Sequence, residues 1–326
     1  MLTVLACRCK AKWRISIDRK EEKEYNVFVN SKSFITFTGE KKMRRIGFSL
    51  YGKDRLNDEI ASSMSESGVC VLELDMAAED YPNANFHQTA EIARRHGLDV
   101  ASIHLPIAPQ HIYDVTHKYA TVGAVPFQIE LIKRGCEILG AKHVVIHSGG
   151  EPLKEEEREE RVQRAGEKLP LLADVAESYG ADVCIEVLPR TCLGRDSDEI
   201  LAMLAYDDRL RVCLDTNHIF RENEVDFIRK IGKKIATTHI SDRDDINERH
   251  WLPGEGILDW VGIIDALDEI GYEGDWIYEC GLKPKPTIIR ERDLTFADLY
   301  KNAQEVFARV KPTRYSMPKP GVGMWE

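Results

Sequence analysis

The feature that most constrains this chain is a repeat. From Met43 onward, a short apolar run rich in Val, Ile and Leu ends in polar residues, and a stretch with amphipathic helical spacing follows. Runs that are apolar at nearly every position suit parallel strands covered on both faces. Eight such runs occur, at residues 46–50, 69–74, 100–105, 143–147, 183–188, 210–215, 235–240 and 276–280. Gly68, Gly97, Gly140 and Gly180 each stand where a helix would stop before the next run. Asp196-Ser197-Asp198-Glu199 offers a capped, acidic helix start, and residues 259–270 keep helical spacing up to Gly271. Alternating strands and helices imply a parallel sheet with right-handed crossovers. Eight units predict an α/β chain folded as a closed (β/α)8 TIM barrel, a single domain over residues 43–312 with a tail at 313–326. A doubly wound open sheet is the structural alternative. No G-x-G-x-x-G follows the first run, so dinucleotide binding gains no support.

Residues 1–42 do not fit the repeat. They carry ten Lys or Arg and five Asp or Glu, whereas the rest of the 326-residue chain holds 35 basic and 50 acidic side chains. They are read as an irregular N-terminal extension. Gly39-Glu40-Lys41-Lys42, whose codons are purine-rich like a bacterial ribosome-binding site, directly precede Met43, and Met43 is taken as the native start. Cys7 and Cys9 form a C-x-C pair that no later pair completes into a zinc site, while Cys184, Cys213 and Cys280 lie in apolar runs as reduced core thiols. This usage suits a cytoplasmic protein. No run of about 18 apolar residues is present, so no membrane span is expected. The formal net charge of −10 argues against a nucleic-acid partner, because phosphate binding needs clustered Lys and Arg.

A barrel carries its chemistry at the C-terminal ends of its strands. Here those ends supply Glu73, His104, His147, Glu186, Asp215 with His218, His239 and Glu279, and the loop after the seventh run adds Glu248, His250 and Trp251. Taken singly, each is ordinary: a lone His is more often a hydrogen-bonded core residue, and a lone Glu is usually solvated. As a set they are not. The chain has ten His, and five of them fall at strand ends or in that loop. Several carboxylates in one barrel mouth need a cation to neutralise them. The favoured ligands are Glu186, Asp215, His239 and Glu279, from runs five to eight. Three carboxylates and one imidazole suit one divalent ion, Mn, Co, Mg or Zn.

These motifs resemble the xylose-isomerase-like TIM barrels, which include sugar and sugar-phosphate isomerases and epimerases, ketose 3-epimerases, inosose dehydratases and endonuclease IV. The resemblance spans residues 44 to about 310. It rests on HLP at His104, VIHSGG at His147, EVLPRT at Glu186, LDTNH at Asp215 and His218, HISD at His239, HWLPGEG at His250 and YEC at Glu279. In the epimerase branch it implies that one metal is held by Glu186, Asp215, His239 and Glu279. It also implies that His218 contacts substrate and that Glu186 and Glu279 transfer protons. In the endonuclease IV branch, which binds three zinc ions, His104, His147, His218, Glu248 and His250 would be further ligands, with Glu248 standing where that family has Asp. No Lys stands just after Glu186, which departs from the hydride-shift machinery of true xylose isomerase.

The resulting expectation is a metal-dependent sugar or sugar-phosphate isomerase or epimerase working by carboxylate proton transfer through an enediolate. Glu186 and Glu279 would flank the reacting carbon, one removing and the other returning the proton. His104, His147, His218, Arg190, Glu248, His250, Trp251 and Glu73 are the substrate-binding candidates: His218 and Arg190 to grip hydroxyls or a phosphate, Trp251 as an apolar wall, Glu73 behind the ligands. The alternatives are an inosose-dehydratase-like lyase and an endonuclease IV-like abasic-site repair enzyme. The expected partner is a small sugar or sugar phosphate, with no nucleic acid and no membrane; a homo-oligomer is compatible with the reading.

Overall fold

The structure is a computed structural model. It describes residues 44–324 apart from Asp54 and 107–113, and before residue 44 only residues 14–16 and 22–24. The chain divides into two units, Met1–Met43 and Arg44–Glu326. In the first, Arg14–Ser16 pairs antiparallel with Glu22–Glu24, a short element where no strand alternation was expected. The readings of Cys7, Cys9 and Met43 fall outside the described residues.

The second unit holds all eight expected strands: β1 (Ile46–Tyr51), β2 (Val69–Asp75), β3 (Asp99–His104), β4 (His143–Ile146), β5 (Asp182–Glu186), β6 (Arg211–Asp215), β7 (Ile235–His239) and β8 (Trp276–Tyr278). They form one parallel sheet in the order β8-β1-β2-β3-β4-β5-β6-β7. The remaining seam is drawn together by a parallel bridge between Ile240 and Tyr278. There the Ile240 N–H donates to Ile277 O at 2.8 Å, and the Thr238 hydroxyl donates to Asp275 O at 3.0 Å. This is a nearly closed TIM barrel.

The helices are α1 (Asp58–Glu66), α2 (Phe86–Arg95), α3 (Ala124–Arg134), α4 (Arg158–Ser178), α5 (Ser197–Leu204), α6 (Glu224–Ile231), α7 (Trp260–Glu269) and α8 (Phe296–Phe307). Asp196 caps α5 through the Glu199 N–H, as its acidic start foretold, and Asp259 caps α7. Thr295 and Asp298 form a reciprocal capping box on α8.

Period-two alternation divides every strand between two environments. Outward residues such as Leu72, Val144, Ile185, Val212, Leu214 and Trp276 join the large core between barrel and helices. Inward residues at the lower level form small apolar clusters, Val71 with Ala101 and Ile277, and Val145 with Cys184 and Cys213. Gly47 completes that level, because a Cβ there would stand 2.9 Å from Val71 Cβ and 3.1 Å from Ile277 Cγ1. Two residues further along the same strands, the inner face changes to Glu73, Glu186, Asp215 and Glu279. The alternation that makes the barrel floor thus also aims its acids into the mouth.

Past α8 the chain returns to the barrel. Ser316–Pro318 pairs antiparallel with Ile288–Arg290 in the loop after β8. Among the described residues no helix is long and apolar enough to cross a membrane.

Candidate metal centre

Donor atoms of Glu186, Asp215, His239 and Glu279 all lie within 4.8 Å of one another. Glu186 is central. One of its oxygens is 2.9 Å from His104 Nε2 and 3.1 Å from His147 Nε2; the other is 3.3 Å from both His239 Nδ1 and His218 Nδ1. Asp215 accepts the Asn217 N–H on Oδ1 at 2.7 Å, which turns Oδ2 toward the cluster. His239 Nδ1 faces Glu186, Glu279 at 3.6 Å and Asp215 at 3.9 Å. Its Nε2 sits 2.7 Å from Glu73 Oε1, a close contact whose angle falls short of a hydrogen bond. Glu73 is itself held by the hydroxyls of Ser49 at 2.9 Å and Ser102 at 2.6 Å. The inner faces of β1, β2 and β3 therefore set a carboxylate beside the imidazole of β7.

A second group gathers at the rim. His218, Glu248 and His250 bring donor atoms within 4.8 Å of one another. His218 Nδ1 lies 3.0 Å from Val187 O, which leaves Nε2 at 3.1 Å from Glu248. His250 adopts a left-handed φ of 51°. Asn217 Oδ1 accepts its N–H at 3.3 Å and that of Arg249 at 3.0 Å, so the residue between Asp215 and His218 ties this loop to β6.

The loop owes its shape to two further buried carboxylates. Asp242 accepts the N–H groups of Arg243, Gly254 and Leu258 and the Trp260 indole N–H. Gly256 lies so close that a Cβ would meet Arg243 O at 2.2 Å and Asp242 Oδ1 at 2.3 Å. Glu255 pairs with Arg290 at 3.1 Å and accepts the Tyr315 N–H, linking the loop to the returning C-terminal segment.

Two candidates are placed differently from the cluster. Trp251 is 2% exposed and donates its indole N–H to Thr287 at 3.0 Å, so it packs beneath the loop. Arg190 is engaged by Glu151 at 2.6 Å and Glu248 at 2.8 Å. Sequence reasoning passed over Asn217, Asp242, Glu255 and Asp75. Asn217 and Asp242 stand inside the quoted LDTNH and HISD motifs, and Asp75 follows Glu73 at the inward period of two.

The electrostatics call for a cation. Glu73, Asp75, Glu186, Asp215 and Glu279 line one interior, and among the described residues every ion-pair partner they have is an imidazole. Burial opposes the charged form of Glu186, yet His147, His239 and His104 hold its pKa well below the usual carboxylate range. Burial pushes Asp215 well above its ordinary value, and the nearby Glu279 and Glu186 charges add to the rise. Asp215 Oδ2 and Glu279 Oε2 are buried without a hydrogen-bond partner. Unsatisfied oxygens on adjacent carboxylates are costly unless a cation lies between them. The donor set fits one divalent ion.

Fold and cluster together define a (β/α)8 barrel whose strand ends gather a carboxylate–imidazole cluster that could hold a metal ion. A sequence model described as the xylose isomerase-like TIM barrel matches residues 63–295, and the chain belongs to that family. It is 26% identical over 237 residues to an inosose isomerase of Bacillus velezensis, an alignment covering 58% of this chain and 81% of that protein. The fold resembles a crystal structure of D-psicose 3-epimerase with D-tagatose from Clostridium cellulolyticum H10, at TM-score 0.62 and 21% identity, covering 84% of this chain and 91% of that one. It also resembles a family 2 AP endonuclease from Brucella melitensis, at TM-score 0.58 and 17% identity, covering 73% and 92%.

Proposed function

We propose that this protein is a divalent-metal-dependent isomerase or epimerase of a sugar or sugar phosphate. The observation that carries the reading is the cluster of Glu186, Asp215, His239 and Glu279 on four consecutive strands, with two buried oxygens unsatisfied. A divalent ion there would supply Lewis acidity for the negative charge that develops when a proton leaves the carbon beside a carbonyl. Glu186 and Glu279, on β5 and β8, are the proton carriers, one removing and the other returning the proton through an enediolate. The imidazoles of His104 and His147 steady Glu186 in its charged form. His218 and His250 face the rim, where they can bind substrate oxygens. The named relative, an inosose isomerase, agrees with this class of chemistry.

The test is solvent-deuterium incorporation into ketoses and their phosphates by metal-loaded protein. Exchange next to the carbonyl is expected, with recovery of an isomer or epimer. Loss of water instead of isomerisation would assign the inosose-dehydratase type of lyase. Full retention of substrate hydrogen would point to a hydride shift and refute the two-carboxylate scheme.

A second reading, hydrolysis at abasic DNA sites, is favoured by one observation: His218, Glu248 and His250 form a second three-donor group. Two facts weigh against it. Arg190 already occupies Glu248, placing a guanidinium 2.8 Å from the carboxylate a second cation would need. The chain from Met43 also has fifteen more acidic than basic side chains, a poor surface for phosphate.

A further inference from the structure

Among the described residues, three buried carboxylate oxygens lack a hydrogen-bond partner: Asp215 Oδ2, Glu279 Oε2 and Asp75 Oδ1. The first two belong to the four-donor cluster. Asp75 belongs to none of the three groups of potential ligands. It ends β2, on the inner face two residues beyond Glu73, and is 6% exposed.

Among the described residues, its surroundings offer Oδ1 no hydrogen-bond donor. The nearest ionic contact is His104 Nδ1 at 3.9 Å, and that nitrogen is directed to Leu105 O at 2.8 Å. No Lys or Arg forms an ion pair with it among the described residues. Two other buried acids show what a structural carboxylate looks like in this molecule. Glu73 is held by two serine hydroxyls, and Asp242 accepts three backbone N–H groups and an indole N–H. The folding role of Asp75 is carried by its backbone, whose carbonyl accepts the Gly52 N–H at 2.9 Å.

A buried acceptor left without a donor costs free energy unless a ligand supplies one. In the strand order, β2 lies four places from β6, so Asp75 stands on the wall opposite Asp215 and His218. A molecule held at the cluster is approached from across the mouth by this carboxylate. We propose that Asp75 is a substrate-binding residue that accepts a hydrogen bond from a hydroxyl of a polyhydroxylated ketose. The assignment rests on the isomerase reading above and gives it a second anchoring point, distinct from the metal ligands and the proton carriers. It selects substrates by the presence and configuration of one hydroxyl, because a site built to bind a hydroxyl rejects an analogue that lacks it.

The test uses full-length, metal-loaded protein with Asp75→Asn and Asp75→Ala. Both variants should keep the bound metal and melt at or above the wild-type temperature, because the lost carboxylate has an oxygen with no hydrogen bond and only a 3.9 Å imidazole contact in the free protein. Loss of metal, or a lower melting temperature in both variants, would make Asp75 a ligand or a scaffold group and overturn the proposal. Calorimetry is then run with D-fructose and its monodeoxy analogues. Each variant should bind D-fructose roughly 10- to 100-fold more weakly, the range of a hydrogen bond to a charged group. Against the one analogue missing the recognised hydroxyl, wild type and variants should bind alike. Wild-type binding with unchanged variants would refute the Asp75 assignment alone. A wild-type protein that binds none of these sugars would refute the ketose reading and the assignment with it.

Discussion

Glu73 offers a demanding test of how the cradle is built, because it touches no proposed reacting atom. It is fully buried, and its oxygens are approached by the hydroxyls of Ser49 and Ser102 and by His239 Nε2. Burial opposes its charge, yet His239 and His104 hold its pKa below the ordinary value, so Glu73 is an acceptor at neutral pH. A carboxylate this close to Nε2 electrostatically favours the proton on that nitrogen, so that with a metal bound the Nδ1 lone pair is turned to Glu186, Asp215 and Glu279. Glu73→Gln replaces one oxygen with an NH2 donor. Where that donor faces Nε2, it favours the tautomer protonated on Nδ1, which cannot ligate a metal.

Partners of this kind contribute about 10- to 100-fold to metal affinity, or roughly 1.4–2.8 kcal/mol. Glu73→Ala should lose a similar factor and also lower stability. It strands two buried hydroxyls, at about 1–3 kcal/mol for each that finds no other acceptor. Competition with a chromophoric chelator measures the affinity, and thermal unfolding of the metal-free protein measures the stability. If Glu73→Gln binds metal within threefold of wild type, Glu73 does not set the tautomer of His239 and the reasoning fails. If the metal-free Glu73→Ala protein is as stable as wild type, the two serines are not held by this carboxylate in solution.

The remaining predictions are direct. Mild chelation should remove one divalent ion per chain while the far-ultraviolet circular dichroism of the barrel persists; Asp215→Asn should bind metal more weakly, and wild-type affinity would remove Asp215 from the ligand set. Glu186→Gln and Glu279→Gln should each lower turnover by about 10²–10⁴-fold, and metal content measured on the same samples separates a lost proton carrier from a lost ligand. Glu255→Gln strands the buried Arg290 guanidinium and should destabilise the protein by roughly 3–5 kcal/mol, with faster hydrogen exchange in residues 314–318; an unchanged melting temperature would show that this pair does not hold the C-terminal segment. Abasic duplex DNA should remain uncut by metal-loaded protein even at low salt, where phosphate attraction is strongest; metal-dependent, salt-sensitive nicking would favour the second reading.

Which of these residues could be read in advance follows from how each is held. Glu186, Asp215, His239 and Glu279 sit at the polar ends of apolar runs, and a parallel strand buried on both faces leaves that signature in the chain. Strand order then makes them neighbours, because runs five to eight are adjacent in a barrel that closes in sequence. Alternation with period two adds the inward direction: Cys184 precedes Glu186 and Cys213 precedes Asp215 at one spacing, apolar below and acidic above. Asp75 obeys the same rule and is still not singled out, because nothing in its sequence neighbourhood distinguishes a solvated strand-end acid from one sealed in the mouth with an oxygen left without a hydrogen bond. That distinction depends on where the other strands place their donors. Trp251 shows the limit more sharply. A loop after β7 can present an indole to the mouth or fold it inward, and the choice here goes with Thr287, 36 residues away, which accepts its N–H. Asp242, Gly256, Glu255 and Arg290 hold that loop and the one after β8 by contacts between distant segments. Such contacts have no period: Glu248 and His250 could be singled out from their motif, but how the loop is held beside His218 required the fold.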